Sequence, residues 1–220
     1  MFQGFAIILL TAFVLMNIKL IKTIGLKDLL NNQKEPAMTI RPIRASDEDA
    51  LRALCLDTTP LRRREQSERF VIWQVYGQYY LDCEAAHCFV ALEEDKPVGA
   101  VLCAPAYADY MRRFMERVYP KCKPYGYLAS ATARQTSMLH KRLGGNYPAH
   151  MHCLWPEARQ DLARPLFEAL ATHLEALECR GVCTFPNLRR QPALWESLAA
   201  LGFDVLGKSS QTLLMGKELF

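Results

Sequence analysis

Beyond Met38 the hydrophobic pattern switches repeatedly between a two-residue and a three-to-four-residue period, and that switching restricts the chain to an α/β domain. Thr39–Arg44 alternates, with Ile40, Pro42 and Ile43 set against Arg41 and Arg44, and predicts a first strand. Ala45-Ser46-Asp47-Glu48-Asp49 then supplies Ser46 as an N-cap and acidic first-turn residues for a helix carrying Leu51, Leu54 and Cys55 on one face. A basic stretch, Arg62–Arg64, precedes a second helix, rich in aromatics, over Glu65–Tyr80. His87–Leu92 and Val98–Ala104 read as strands of a hairpin closed by the polar turn Glu93–Pro97. Tyr107–Val118 and Ala131–Leu143 read as helices, and Gly144-Gly145-Asn146 breaks the chain before an extended Tyr147–Trp155.

The clearest amphipathic helix is Pro165–Glu178, where Leu166, Leu170, Leu174 and Leu177 follow spacings of four, four and three. Gly181–Phe185 is a short strand, Pro192–Leu201 a helix, and Phe203–Leu206 and Gln211–Met215 are closing strands. The order is β-α-α-β-β, a helical insert, then β-α-β-α-β-β, which implies a central mixed sheet flanked by helices. No G-x-G-x-x-G occurs, which excludes a Rossmann reading; Gly202–Ser209 (GFDVLGKS) has the spacing of a P-loop but falls among the closing strands with no helix after it, which excludes a P-loop reading.

Composition sets the compartment and the partner class. The balance of 27 basic and 23 acidic residues, net +4, is too mild to imply nucleic acid. The eight cysteines are scattered through apolar runs with no C-x-x-C, which fits small buried hydrophobes in a reducing, cytoplasmic setting better than a disulfide frame. Residues 1–37 stand apart. No charge occurs from Met1 to Ile18, the first being Lys19, and Phe5–Ile18 with Met1–Gly4 reaches the span of about 18 residues that a membrane helix needs. No basic residue precedes the run and no small-residue cleavage site follows it, which argues against a signal peptide. Two readings stand: an anchor whose flanking Lys19, Lys22 and Lys27 hold the following domain on the cytoplasmic side, or an upstream start codon placed before a true start at Met38. Either way, 38–220 is the domain, and a membrane is a partner only if 1–37 is genuine.

Three segments in this order resemble the GNAT superfamily of N-acetyltransferases: the opening Ile40–Leu54 (IRPIRASDEDALRAL), the hairpin Phe89–Leu102 (FVALEEDKPVGAVL), and Leu194–Phe203 (LWESLAALGF). Tyr147–Arg159 (YPAHMHCLWPEAR) is similar to the acetyltransferase-like domains related to those of O-GlcNAcases. The resemblance covers about residues 38–220 and implies a GNAT-type acyl-CoA N-acyltransferase fold. It implies acetyl-CoA as co-substrate, an amine of a small molecule or peptide as acceptor, no metal, and a second copy of the chain as a candidate partner. In that family acetyl-CoA sits where two parallel strands splay, its pyrophosphate on backbone N–H groups at a helix start. A strand amide polarises the thioester, a base deprotonates the amine, and a tyrosine often protonates the thiolate.

The resemblance assigns Cys153, Leu154 and Trp155 to the cofactor strand and Arg159, Gln160, Asp161, Leu162, Ala163 and Arg164 to the phosphate loop. The loop departs from [Q/R]-x-x-G-x-[G/A]: Asp161 stands where glycine is expected, and its carboxylate would repel pyrophosphate, with Arg159 and Arg164 available to compensate. Pro165 suggests a late start for the helix, and the usual tyrosine position, four before Gly202, is Leu198. These departures keep a second reading open, a catalytically impaired GNAT-fold binding or regulatory module. His150 and His152 project to one face of their strand and Cys153 to the other; they are candidate bases or hydrogen-bonded core residues, with a zinc site remote. Glu157 and Asp161 are candidate bases or helix-capping acids. Arg112 and Arg113 are solvated faces or anion attractors, and His140 and His173 are structural.

Overall fold

The structure, a computed structural model, describes residues 38–59, 65–126, 144–208 and 212–220. The apolar run near the N-terminus, Arg62–Arg64, the helix expected at Ala131–Leu143 and His140 lie outside the described residues. Among the described residues no helix is long and apolar enough to cross a membrane.

In chain order the elements are β1 (Met38–Pro42), α1 (Glu48–Thr58) and α2 (Gln66–Trp73), which runs through a π-helical turn, Gln74–Gln78, into α3 (Tyr79–Cys83). Then follow β2 (Phe89–Glu93), β3 (Lys96–Ala104), α4 (Tyr107–Arg117), α5 (Tyr119–Cys122), β4 (Ala149–Leu154) and α6 (Ala163–Ala176). The chain closes with β5 (Gly181–Thr184), α7 (Pro192–Ala200), β6 (Asp204–Lys208) and β7 (Leu213–Glu218). The seven strands form one sheet in the order β1-β2-β3-β4-β5-β7-β6. Only β4 and β5 run parallel; the other neighbours are antiparallel.

The two-residue period divides the core between the faces of this sheet. Val90, Leu92, Ala100, Leu102 and Leu154 pack with Leu51, Cys55, Val71, Trp73, Tyr80 and Phe114 from the helices before β4. Ala91, Val101, Ala149, Met151 and Cys153 pack instead under Leu166, Leu170 and Leu174 of α6 and Leu198 of α7. All eight cysteines carry free thiols, and all but Cys83 are buried. Burial pushes the Cys55 and Cys183 thiols up to about 12, leaving them protonated and inert.

Three local expectations change. The cap of α1 is not Ser46: Asp47 accepts the Arg44 N–H at 2.8 Å and a two-pronged contact from Arg41, both at 2.8 Å, while Ala45–Asp47 form a 3₁₀ turn. The aromatic-rich helix runs past Tyr80 to Cys83 and contains the π turn, which wraps one extra residue into the backbone ladder. Gly77 permits that turn, because a Cβ there would fall inside the Trp73 ring. Finally, α6 begins before Pro165, at Ala163; the first-turn N–H groups have no intrahelical acceptor, so proline is tolerated there.

Candidate active site

The parallel pair at the centre of the sheet is short. β4 and β5 align only at Ala149 with Val182 and His150 with Cys183. From Met151 to Leu154, β4 continues to pair with β3, up to Ala100 opposite Leu154, but not with β5. The two strands therefore part beyond His150. The edge of β4 on that side keeps backbone groups that need a partner from outside the sheet.

The side chains around the parting point fall on opposite faces. Met151 and Cys153 are buried on the α6 side. His150 and His152 lie on the other, among aromatic residues of the π turn, α3 and α4. His150 is 1% exposed and its Nε2 lies 3.0 Å from the Tyr80 hydroxyl and 3.1 Å from Nε2 of His152. Tyr110 meets the His150 ring edge-on at 4.6 Å, and Tyr76 meets His152 likewise at 4.8 Å. Burial lowers His152 to about 4, so its imidazole is neutral at physiological pH. Burial also pushes the Tyr80 phenol well above its ordinary value, so it stays a hydrogen donor.

Beyond β4 the chain turns through Trp155-Pro156-Glu157-Ala158 into a 3₁₀ turn, Gln160–Leu162, at the foot of α6. Leu162 is fully buried and packs on Gly99 of β3, where any Cβ would meet its side chain at 2.7 Å. This contact fixes the loop against the hairpin. Gln160 is committed internally: its Oε1 accepts from Trp155 Nε1 at 3.2 Å and Ser197 Oγ at 2.6 Å, and its Nε2 donates to the Glu157 carbonyl at 3.0 Å.

Arg159 is committed as well. Its guanidinium donates to Glu93 at 2.6 and 3.2 Å and to Asp161 at 2.8 and 3.0 Å. Asp161 and Glu93 hold Arg159 firmly protonated, and Arg159 in turn keeps the Asp161 carboxyl below the usual carboxylate range. Arg164 is exposed and lies 3.6 Å from Glu168 one turn on. The amides of Leu162 and Ala163 already bond the carbonyls of Arg159 and Gln160.

Two groupings thus emerge. His150 and His152 join Tyr80 and Tyr76 on one face; Arg159 and Asp161 join Glu93 at the loop. Glu157 is exposed and its side chain belongs to neither. Neither acid caps the 3₁₀ turn or α6, contrary to the capping expectation; Asp161 is spent on Arg159. Leu198 is fully buried, so no hydroxyl stands at that position. Among the described residues no group of three or more His, Cys, Asp or Glu side chains could hold a metal. A shallow depression of about 310 Å³ lined by Asn146, Arg180, Glu218 and Phe220 lies at the start of β5, remote from the parting strands.

Sequence reading did not single out Tyr80, Tyr76 or Glu93. The tyrosines stood in a helix noted only as aromatic-rich. Glu93 lies 66 residues before Arg159, and nothing local links the two.

No protein-family model and no curated protein matches the chain. Solved structures do. A protein designated SsHAT superposes with a TM-score of 0.72 at 19% identity, over 84% of this chain and all of that one. The polyamine N-acetyltransferase of Drosophila melanogaster, which forms N-acetylagmatine, gives 0.54 at 14% identity, over 82% of this chain and 98% of that one. The PaiA N-acetyltransferase of Thermoplasma acidophilum, in complex with coenzyme A, gives 0.53 at 11% identity, over 83% and 99%. The chain has the GNAT acyltransferase fold, in agreement with the expected mixed sheet flanked by helices.

Proposed function

We propose that this chain is an acyl-CoA-dependent N-acetyltransferase that transfers an acetyl group to an amine of a small molecule or peptide. The observation that carries the reading is the parting of β4 from β5 after His150, within this fold and beside a neutral imidazole on β4. Coenzyme A bound to a structural neighbour of the same fold supports it.

Fit to acetyl-CoA divides by region. The free edge of β4 at Cys153–Trp155 suits the thioester and its pantetheine arm, whose amides need strand-like partners. The loop Arg159–Arg164 suits the pyrophosphate only after rearrangement, because its own Asp161 carboxylate already stands there against Arg159. Acetyl-CoA supplies an acyl group activated as a thioester. The chain itself supplies a gap between the strands, with the α6 face for the nucleotide and the opposite face for the amine. His152, neutral above about pH 4, is placed to accept the proton that the amine nitrogen loses as it bonds to the thioester carbon, the acceptor entering as the free amine. With Leu198 in the core, departure of the thiolate relies on a proton from elsewhere, and solvent is the simplest donor.

The second reading, a non-catalytic GNAT-fold module, is favoured by the same Asp161–Arg159–Glu93 cluster and by Leu198. Incubation with acetyl-CoA and a panel of polyamines, amino acids and peptides, read by mass spectrometry, separates the two. Acetylated product that disappears in a His152→Gln variant supports the first; intact acceptors throughout the panel, with coenzyme A bound, support the second. We place the protein in the cytoplasm, a reading supported by free thiols throughout the described domain.

A further inference from the structure

The loop that joins β4 to α6 takes its shape from one side chain. Gln160 opens the 3₁₀ turn, and its carboxamide faces Trp155 Nε1 at 3.2 Å on one side. On the other it faces the Glu157 carbonyl at 3.0 Å and, more weakly, the Pro156 carbonyl at 3.4 Å. An indole nitrogen only donates and a peptide carbonyl only accepts. A flipped carboxamide would set two donors against each other at Trp155 and an oxygen against two carbonyls, so one orientation alone fits. Oε1 accepts from Trp155, and the two Nε2 hydrogens go to the two carbonyls. The Ser197 hydroxyl of α7 lies 2.6 Å from the same Oε1 and 2.9 Å from the Ala193 carbonyl, with one hydrogen for the two. The orientation of Gln160 does not depend on which of them receives it.

These contacts fix the backbone as well as the side chain. A trans peptide sets its N–H opposite its C=O. The Glu157 carbonyl is held on Gln160, and the Pro156 carbonyl on Gln160 and on the Arg159 N–H at 2.8 Å. The N–H groups of Ala158 and Glu157 therefore turn to the other side of the loop. Both residues are exposed, and among the described residues neither N–H reaches a protein acceptor. Those of Leu162 and Ala163, by contrast, are bonded within the turn.

We infer that Gln160 is a positioning residue: it holds the loop in the backbone shape that leaves the Glu157 and Ala158 amides open to acetyl-CoA, and does not itself bind the ligand. The inference rests on the acetyl-CoA reading for the identity of the ligand; the bracing of the loop stands apart from it. The loop thereby divides into two parts. Arg159 and Asp161 are tied to each other and to Glu93 by charge, and an arriving anion competes for that tie. Gln160 is tied to Trp155, which is 6% exposed, and to its own backbone, and an anion has nothing to gain from it. The side chain that stands inside the loop therefore sets its frame, and the charged ones beside it answer the ligand.

Two variants of the full chain test this. Gln160→Met keeps length and neutrality but removes the two hydrogens. Gln160→Glu keeps the acceptor for Trp155; ionised, it sets an oxygen against the Glu157 carbonyl, and protonated, it donates there again. Isothermal titration with acetyl-CoA is read as the ratio of variant to wild-type Kd at pH 7.5 and pH 5, because the ligand's phosphates and Glu157, Arg159, Asp161 and Glu93 are common to all three proteins. Gln160→Met is expected to weaken binding about tenfold at both pH values, and Gln160→Glu about tenfold at pH 7.5 with recovery to within about twofold at pH 5. The neutral variant separates positioning from charge repulsion, and the recovery separates it from damage to the fold. Where turnover is found, Gln160→Met is expected to raise KM for acetyl-CoA and leave KM for the amine unchanged. The bracing is read without ligand, in the Trp155 indole ¹H–¹⁵N signal, assigned by its loss in Trp155→Phe, and in the amide signals of Glu157 and Ala158. All three are expected to shift in Gln160→Met. A folded Gln160→Met protein that binds acetyl-CoA as the wild type does, or keeps the three signals in place, overturns the inference; so do equal ratios for Gln160→Glu at the two pH values. No binding by the wild type, with the three signals shifted in Gln160→Met, sinks the acetyl-CoA reading and upholds the bracing.

Discussion

At the scale of single residues, the proposed chemistry turns on two side chains, His152 and Asp161, whose charge is set by their surroundings. His152 is neutral because burial opposes its protonated form, and its folded value of about 4 lies below the ordinary 6.5. The unfolded chain therefore binds more protons there between these two values, so the stability His152 contributes is complete above pH 6.5 and declines as pH falls towards 4. The loss is on the order of 2–3 kcal/mol by pH 4. Denaturant unfolding at pH 7 and pH 4.5 checks this: His152→Gln should show a smaller drop between the two than the wild type. Asp161 works in the opposite sense for function. Its carboxylate lies 2.8 Å from Arg159 and, under the proposed reading of this loop, would face the pyrophosphate at close range. Asp161→Gly removes that repulsion and half of the hold on Arg159. It should tighten coenzyme A binding roughly tenfold, as isothermal titration would read, a Coulomb energy of about 1–2 kcal/mol at partly exposed range.

At the scale of elements, the same helix ending occurs twice with different residues. Gly202 closes α7 at φ 84°, with Phe203 N–H bonded to the Leu198 carbonyl and Gly202 N–H to that of Ala199. Glu178 closes α6 at φ 54°, with Cys179 N–H on Leu174 and Glu178 N–H on Glu175. Glycine adopts that left-handed conformation without steric cost, whereas glutamate does not. Glu178→Gly should stabilise the protein by about 1 kcal/mol, and a shifted denaturant midpoint with unchanged slope would show it. This ending also explains Leu177. Its spacing matched the apolar stripe, yet it lies past the last helical residue and is 46% exposed, while Leu166, Leu170 and Leu174 are buried as the period requires. The periodicity of α6 and the alternation of β2 and β3 were legible because each repeats over several residues with one face in the core. The π turn was not, because it depends on the absence of a Cβ on Gly77 beneath the Trp73 ring, a tertiary fact without local signature.

At the scale of the whole molecule, the order of periods along the chain foretold the order of strands and helices, and the fold implied by the resemblance is the fold shared with solved structures. Pairings between distant residues did not follow from it. The sequence leaves Arg159 available to pair with phosphate, but Glu93, from the β2–β3 hairpin, stands against it at 2.6 Å. His150 and His152 read as a pair on one face, but the tyrosine whose hydroxyl lies 3.0 Å from His150, Tyr80, comes from another element, 70 residues before it. The sheet brings His150 and His152 to one face of β4 beside its parting from β5, while Arg159, Asp161 and Glu93 meet at the loop that follows β4. The central claim is that this gap receives acetyl-CoA. Isothermal titration of the full chain with acetyl-CoA tests it most directly: the account predicts saturable binding that Asp161→Gly tightens, and no heat of binding at millimolar ligand in either protein would contradict it.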